Sequence, residues 1–394
     1  MTTPYEQTYL DTARNILEKG RWKASRPGQR TLSSDTEQMV IDISGNLLPL
    51  LSTKQIFYKT FIHETIWFLS GSTNVKYLKD HNISIWDSWV LPKTAVFEPT
   101  ETPSASDILT YIRCKLDSDV FKAWTAYKDA QKVGIPKLSE VQAFIAHFVA
   151  LFPETKNARA LNTLPKMKLI SGDIGSGAYG ASWRKWPEVR AVMAHTVDFV
   201  KKLGLSEIGK AGLHSHGKES YHLMGRYIDQ MAEMVKLLRK SPDSRRIIVS
   251  AWNPALIQET SLPACHCQFQ VLSYDNGKGK KRQMTLKLLI RSNDFPVGNP
   301  ANVMQYALLA HMLAHITNHE ATKLVVNIGD AHIYEDQIEL MQEVQLKRVP
   351  IDINPTVTFD KDIKELSDFT FDRITVDGYE PGSYHPAISY PVAV

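Results

Sequence analysis

Residues Ser261 to Gln270 read SLPACHCQFQ and hold two of the chain's three cysteines, with a histidine between them. Beta-branched and aromatic residues alternating with polar ones predict a strand from Cys265 to Tyr274. Its period of two puts Cys265, Cys267, Phe269 and Val271 on one face and His266, Gln268 and Gln270 on the other. A structural zinc site needs four ligands, and a lone Cys-x-Cys has no second pair to complete one. Cys265 and His266 cannot share a proton directly if they face opposite ways. A nucleophilic thiol and a buried strand that carries sulfur both stay open.

Further strands are predicted over Arg245–Trp252, Met284–Asp294 and Lys323–Tyr334, each rich in β-branched or aromatic residues and bounded by turn formers. Asn302–Thr317 reads as a helix introduced by Asn299 and Pro300. Helical spacing marks two more helices, at 7–18 and at 55–69, the second with an apolar stripe of Phe57, Phe61, Ile62, Ile66 and Leu69. The expected fold class is mixed α/β, one large twisted sheet flanked by helices in a single catalytic domain over 1–394. Two stretches break the pattern: a helical subdomain inserted at 92–170, opened by LPKTAVFEPTETPSASD, and a second insertion at 188–224 that carries His195, His214, His216 and His222.

Hydrophobic residues are 43% and charged residues 22%, enough for a sizeable core. The 46 basic and 42 acidic residues leave a net charge of +4, which excludes a basic nucleic-acid arm and a membrane-surface helix. An odd number of cysteines argues against a disulfide framework and for a reducing compartment. Neither a signal-like N-terminus nor a bilayer-length apolar run is found, so the expected location is the cytoplasm.

Gly175, Gly177 and Gly180 match the spacing of a dinucleotide fingerprint, but they follow a loop rather than a strand, and that reading is rejected. His311, His315 and His319 would line one helix face, yet no carboxylate stands in register, so no metal is expected. Lys278, Lys280, Lys281 and Arg282 read as a solvated hairpin tip. Arg245 and Arg246, Arg291 with Ser292, and Arg26 sit at strand ends or in a turn, where guanidinium groups suit a phosphate. His332 and Tyr334, two apart on a strand, point to one face and suit a hydroxyl. Glu64 lies within an apolar helix with no cation at helical spacing, which favours a functional or water-bound carboxylate.

In order, IHETIWFLSGSTNVKYL, ISIWDSW, GAYGASWRKW, DSRRIIVSAWN, PACH, RSNDFPVGNPAN, GDAHIYEDQIE and PVAV resemble thymidylate synthase and its pyrimidine hydroxymethylase relatives. The resemblance covers roughly 7–91, 172–187 and 225–394. It implies dUMP as substrate, 5,10-methylenetetrahydrofolate as carbon donor, and a homodimer joined through its sheets, with no metal, membrane or nucleic acid required. By motif, Cys265 corresponds to the nucleophile that adds to C6 of the base, beside His266, and Asn302 to the residue that reads O4 and N3. Arg26, Arg291 and Ser292 correspond to phosphate ligands, and Arg245 and Arg246 to those reaching from the partner. His332 and Tyr334 match the pair on the sugar 3'-hydroxyl. Glu64 and Tyr179 match residues that organise water and protons at C4 and C5. Trp86, Asp294, Gly298 and Val394 match positions that line or close over the folate, Asp294 also bordering the nucleotide.

Three positions depart from the family pattern: Ala264 for proline before the cysteine, Ile290 for glutamine before Arg-Ser, and Ala301 for phenylalanine before the asparagine. Lost volume beside Asn302 admits solvent, and water at the exocyclic methylene gives hydroxymethyl whereas hydride gives methyl. The resemblance is therefore read as closest to a viral, bacteriophage-type dUMP hydroxymethyltransferase supplying 5-hydroxymethyluracil. Thymidylate synthase itself is the alternative, and a catalytically dead nucleotide- or RNA-binding relative a third reading.

Overall fold

The computed structural model describes residues 4–26, 29–131, 136–162, 166–212 and 220–392. The chain starts with helix α1 (Pro4–Lys19), strands β1 (Arg21–Arg26), β2 (Gln29–Ser34) and β3 (Gln38–Asp42), then helices α2 (Tyr58–Ser70) and α3 (Lys76–Asp80). A largely helical stretch follows: β4 (Val96–Pro99), α4 (Ala105–Lys115), α5 (Ser118–Ala130), α6 (Leu138–Leu151), α7 (Lys156–Asn162) and β5 (Met167–Ser171). Next come α8 (Tyr179–Arg184), β6 (Trp186–Val192), α9 (Val197–Lys202), β7 (Ser206–Gly212), β8 (Ser220–Ile228) and α10 (Gln230–Lys240). The last third holds β9 (Ile248–Ser250), β10 (His266–Tyr274), β11 (Arg282–Ile290), β12 (Asn293–Asp294), α11 (Gly298–Thr317), β13 (His319–Ile328), β14 (Ala331–Tyr334), β15 (Thr356–Phe359) and β16 (Ile374–Asp377).

The architecture is mixed α/β, as expected. Among the described residues the largest sheet is five-stranded in the order β3-β13-β11-β10-β9. It is a mixed sheet, because β11 and β13 run parallel while the other neighbours are antiparallel. A parallel pair needs a crossover, and α11 supplies it. The sheet leads into a four-stranded one, β1-β2-β14-β12, where β11 passes to β12 and β13 to β14. The predicted strands 284–294 and 323–334 thus each divide at a turn and serve two sheets.

Helix α11 is buried on almost every side, from Asn299 to Thr317, which explains its uniformly apolar sequence. It begins four residues before the predicted Asn302, taking in Asn299 and Pro300, and stops at Asn318, whose left-handed φ of 57° closes it. Helix α2 is wedged between α11 and α8. Its buried face, Ile62–Thr65 and Trp67–Leu69, is therefore wider than the predicted stripe, while Phe57 lies outside the helix and is exposed.

The inner face of the five-stranded sheet packs Met39, Ile41, Leu324, Val326, Leu286, Leu288, Phe269 and Val249 into the main core. On the outer face, cross-strand partners form a row of Val40, Val325, Lys287, Gln270 and Ile248, with Val40, Lys287 and Ile248 exposed.

The expected alternation along β10 fails at its start. A register shift between His266 and Gln268 places Cys267 in a bulge and brings His266 onto the core side. His266 and Phe269 both meet the ring of Tyr306, at 5.2 and 5.6 Å. Strand β9 is also shorter than predicted, so Arg245 and Arg246 lie in the turn before it rather than on it.

Among the described residues, two smaller cores stand apart from the main one. Ile108, Ile112, Val120, Trp124, Val141, Phe144, Phe148 and Leu161 join α4–α7. Val197, Val200, Leu205 and Met224 join α9 to the β6-β8-β7 sheet.

Candidate active site

Cys265 stands immediately before β10, half-buried, and Arg291 at the end of β11 grips its loop. The backbone nitrogen of Arg291 donates to the Cys265 carbonyl at 2.8 Å. Its Nε donates to the Ala264 carbonyl and its Nη2 to that of Pro263, both at 2.9 Å. Nη2 also lies 3.6 Å from the Cys265 sulfur, and a cation there favours thiolate over thiol.

The thiol's other flank is Tyr179, first residue of α8. Its hydroxyl oxygen accepts from the backbone nitrogens of Cys265 at 2.7 Å and His266 at 3.4 Å. Burial, reinforced by the charge of Cys265, holds the phenol well above its ordinary range, so it keeps its proton. The GSGAYG glycines explain how the ring arrives there. A Cβ on Gly175 would sit 2.2 Å from the Glu259 carbonyl, and one on Gly180 2.7 Å from that of Phe68. They permit close approach of backbones, not dinucleotide binding.

Glu64 is buried within α2 and held by two neutral donors. Trp86 Nε1 donates to Oε1, and Gln305 Nε2 donates to Oε2 at 2.7 Å. Burial outweighs both bonds and pushes the carboxyl up to about 7, so it is poised to exchange a proton near neutrality.

Asn302, in the first turns of α11, ends a chain of amides. Asn299 Nδ2 donates to Asn293 Oδ1 at 3.1 Å, and Asn293 Nδ2 donates to Asn302 Oδ1 at 3.0 Å. The Asn302 side chain also shares a hydrogen bond with His266, whose ring is pushed down to about 4 by burial and is therefore neutral. With its carbonyl anchored, the Asn302 amide has a fixed polarity. Gly298 opens α11 beside Asn293 Nδ2 and Asn302 Oδ1, each 3.5 Å from where its Cβ would be.

On β14, His332 and Tyr334 do share a face, with ring centroids 5.2 Å apart. His332 Nδ1 meets the Asp330 carbonyl at 3.2 Å, and Tyr334 Oη lies 3.5 Å from Ser25 Oγ. Half-buried Ser292 occupies the bend between β11 and β12. Asp294 accepts from Gln337 Nε2 on both oxygens at 3.2 Å, and burial raises its carboxyl to about 6. Nearby Lys54, lowered to about 8 by burial, donates to the Pro296 carbonyl at 2.5 Å.

A family model, thymidylate synthase, matches residues 7–394. The chain belongs to the thymidylate synthase family. The family's reaction is one-carbon transfer to dUMP with methylenetetrahydrofolate as co-substrate, a transferase step of nucleotide biosynthesis. The match runs through both stretches outside the resemblance. No helix among the described residues is long and apolar enough to cross a membrane.

The structure brings Cys265, Tyr179, His266 and Arg291 together, with Glu64, Trp86 and Asn302 joined to them through Tyr179 and His266. Arg245 and Arg246 stand apart: the Arg245 carbonyl accepts from Gln270 Nε2 at 3.1 Å, and Gln270 lies five positions beyond Cys265 along the chain, roughly 16 Å. Both are exposed. The side chain of Arg26, and Val394, His214 and His216, lie outside the described residues. Among the remaining histidines, His222 Nδ1 meets Glu207 Oε1 at 2.9 Å and His195 lies in a surface turn. His311, His315 and His319 do not converge: His311 meets the Leu47 carbonyl at 3.0 Å, His315 packs on Phe359, and His319 belongs to β13.

Sequence reasoning missed Gln305, Asn293, Asn299, Gln337 and Lys54. For Gln305 a signal was present: one amide inside the apolar run VMQYALLA, three residues after Asn302, has no reason to be buried without a polar partner.

Proposed function

We propose that this protein transfers a one-carbon unit to C5 of dUMP and completes the reaction with water, giving 5-hydroxymethyl-dUMP. The observation that supports the hydroxymethyl branch is the residue types beside Asn302 and His266. Ala301 sits beside it in α11 with only a methyl group, and Ile290, across the ladder from His266, is aliphatic where the family usually has glutamine. Alanine for phenylalanine next to a base-reading amide supports a water there, and isoleucine for glutamine takes away a polar partner rather than volume.

Cys265, its negative charge favoured by Arg291, adds to C6 of the pyrimidine and makes C5 nucleophilic. Asn302 presents a donor and an acceptor to O4 and N3–H, a pattern that suits uracil. Glu64, near half-ionised at neutral pH, and Tyr179, still carrying its proton, hold water and exchange protons at C4 and C5, with neutral His266 supporting Asn302. Arg26, Arg291 and Ser292 receive the phosphate, and His332 with Tyr334 the 3'-hydroxyl.

The folate supplies carbon at the oxidation level of formaldehyde. Asp294 fits such a group, because its carboxyl, bonded by Gln337 Nε2 and the Val297 backbone, still has lone pairs to offer pterin N–H groups. Trp86 and Gly298 are read as lining that side, with Val394 assigned to it by motif alone.

The outer face of the five-stranded sheet pairs with that of a second copy, which lets the exposed Arg245 and Arg246 reach the partner's phosphate. The stretches 92–170 and 188–224 are additions to the family core, each built on its own small cluster. On this reading the protein groups with the viral hydroxymethyltransferases and acts in the cytoplasm of its host.

Incubating the enzyme with dUMP and methylenetetrahydrofolate, then weighing the nucleotide and following dihydrofolate absorbance, tests the reading. 5-Hydroxymethyl-dUMP without dihydrofolate is expected. Dihydrofolate formed in step with dTMP would replace it by thymidylate synthase.

A further inference from the structure

Helix α5 ends on a contact far from its own bundle. Lys128 Nζ, in the last turn, donates to the backbone carbonyl of Val392 at 3.1 Å. One residue earlier the carbonyl of Pro391 accepts from Gln337 Nε2 at 2.8 Å, the same nitrogen that reaches Asp294. Consecutive carbonyls of one segment are therefore held from two directions, one by the catalytic core and one by the helical stretch. The charges of Lys128 and Asp129 both act on the carboxyl of Asp336, so the end of α5 lies close to the turn that carries Gln337.

A lysine can fix a carbonyl only if its helix is itself fixed. Helix α4 is tied to the core by buried charge: Lys79 Nζ lies 2.7 Å from Asp87 Oδ2 and 3.5 Å from Asp107 Oδ1. Ser106 Oγ donates to Asp87 Oδ2 at 2.9 Å, and Arg113 Nη2 donates to the Val90 carbonyl at 2.6 Å. Val120 and Trp124 then pack α5 onto α4 and α6. The ammonium of Lys128 is thus delivered on a support tied to the core, to a segment whose preceding carbonyl shares Gln337 with Asp294.

We propose that Lys128 is a positioning residue for the Pro391–Val392 segment, through which the helical stretch sets how firmly that segment seats over the folate. The inference rests on the reading of the PVAV segment as the part that closes over the folate. A charged donor to one carbonyl, half-buried, corresponds to about a three- to tenfold effect.

Lys128→Ala is expected to raise KM for methylenetetrahydrofolate about three- to tenfold. KM for dUMP and the melting temperature should not change, and carboxypeptidase should trim the 391–394 segment faster in the presence of dUMP and folate. Lys128→Arg should restore both behaviours, because a guanidinium reaches the same carbonyl. Removing Val394 tests the underlying reading separately. If that truncation raises the folate KM while Lys128→Ala leaves both KM and trimming unchanged, the inference fails and the reading stands. If the truncation has no effect on folate KM, the reading fails and the inference with it. Equal rises in both KM values with a lowered melting temperature would mark Lys128 as merely structural and also overturn it.

Discussion

The Arg291 guanidinium stands 3.6 Å from the Cys265 sulfur while bonding the carbonyls of Pro263 and Ala264. One side chain thus both shapes the loop of the thiol and favours its ionisation. Arg291→Met is expected to slow iodoacetamide alkylation of Cys265 at pH 7 by about tenfold or more. Unchanged alkylation would mean that the cation does not act on the sulfur. Cys265→Ser should end turnover while dUMP binding, followed by calorimetry, survives.

Glu64 links catalysis to stability with a definite sign. Its carboxyl rises from an ordinary 4.5 to about 7 on folding, so the folded state binds the proton more tightly. Its stabilising contribution is complete below about pH 4.5 and is lost as pH climbs through about 7, at most about 3 kcal/mol. Glu64→Gln removes that loss, and Gln305 can turn its amide to suit the new partner. The variant should melt a few degrees higher than wild type at pH 8, show no such gain at pH 4, and lose turnover by about 100-fold or more.

Gln305→Leu deletes a donor to the Glu64 carboxylate and leaves Trp86 alone. The Glu64 carboxyl should then rise further, since a bond to the charged form is gone. The acid limb of the pH–rate profile is expected to move to higher pH. A profile that only scales down without moving would contradict the coupling.

Asn302→Asp keeps the donation from Asn293 Nδ2, so the new carboxyl should hold the orientation of the amide it replaces. Preference, measured as the ratio of kcat/KM for dCMP to that for dUMP, is expected to rise by about tenfold or more. Equal losses with both nucleotides would show that Asn302 does not read the base.

Arg245→Glu and Cys265→Ser should each be inactive alone. Mixed under conditions that exchange subunits, they are expected to regain activity, because one site of the mixed dimer has both an intact thiol and an intact arginine. No recovery would place Arg245 outside the partner's site.

Much of this centre was readable from residue types and order. Glu64 stood out because an apolar helix offered it no cation, and the structure places two neutral donors on it. His332 and Tyr334 followed from a period of two. What failed was local geometry that depends on neighbours. The bulge at Cys267 turns His266 inward, toward Tyr179 and Tyr306, a placement that no alternation rule contains. The amide chain behind Asn302 needs the bend that puts Asn293 on a second sheet. Strand β9 is short because it pairs only with residues 268–270 of β10, which leaves Arg245 and Arg246 in a turn.

Strand β3 finds its partner late. Gln38 pairs with Asn327, 289 residues further on, and at bacterial or eukaryotic rates of translation that gap takes roughly 15 to 60 s to synthesise. Throughout that interval the nascent N-terminal third carries an unmatched edge with Met39 and Ile41 uncovered, and Glu64 has no Gln305 to meet. Burial of that face, and a partner for the second oxygen of Glu64, wait until the last third of the chain has been made.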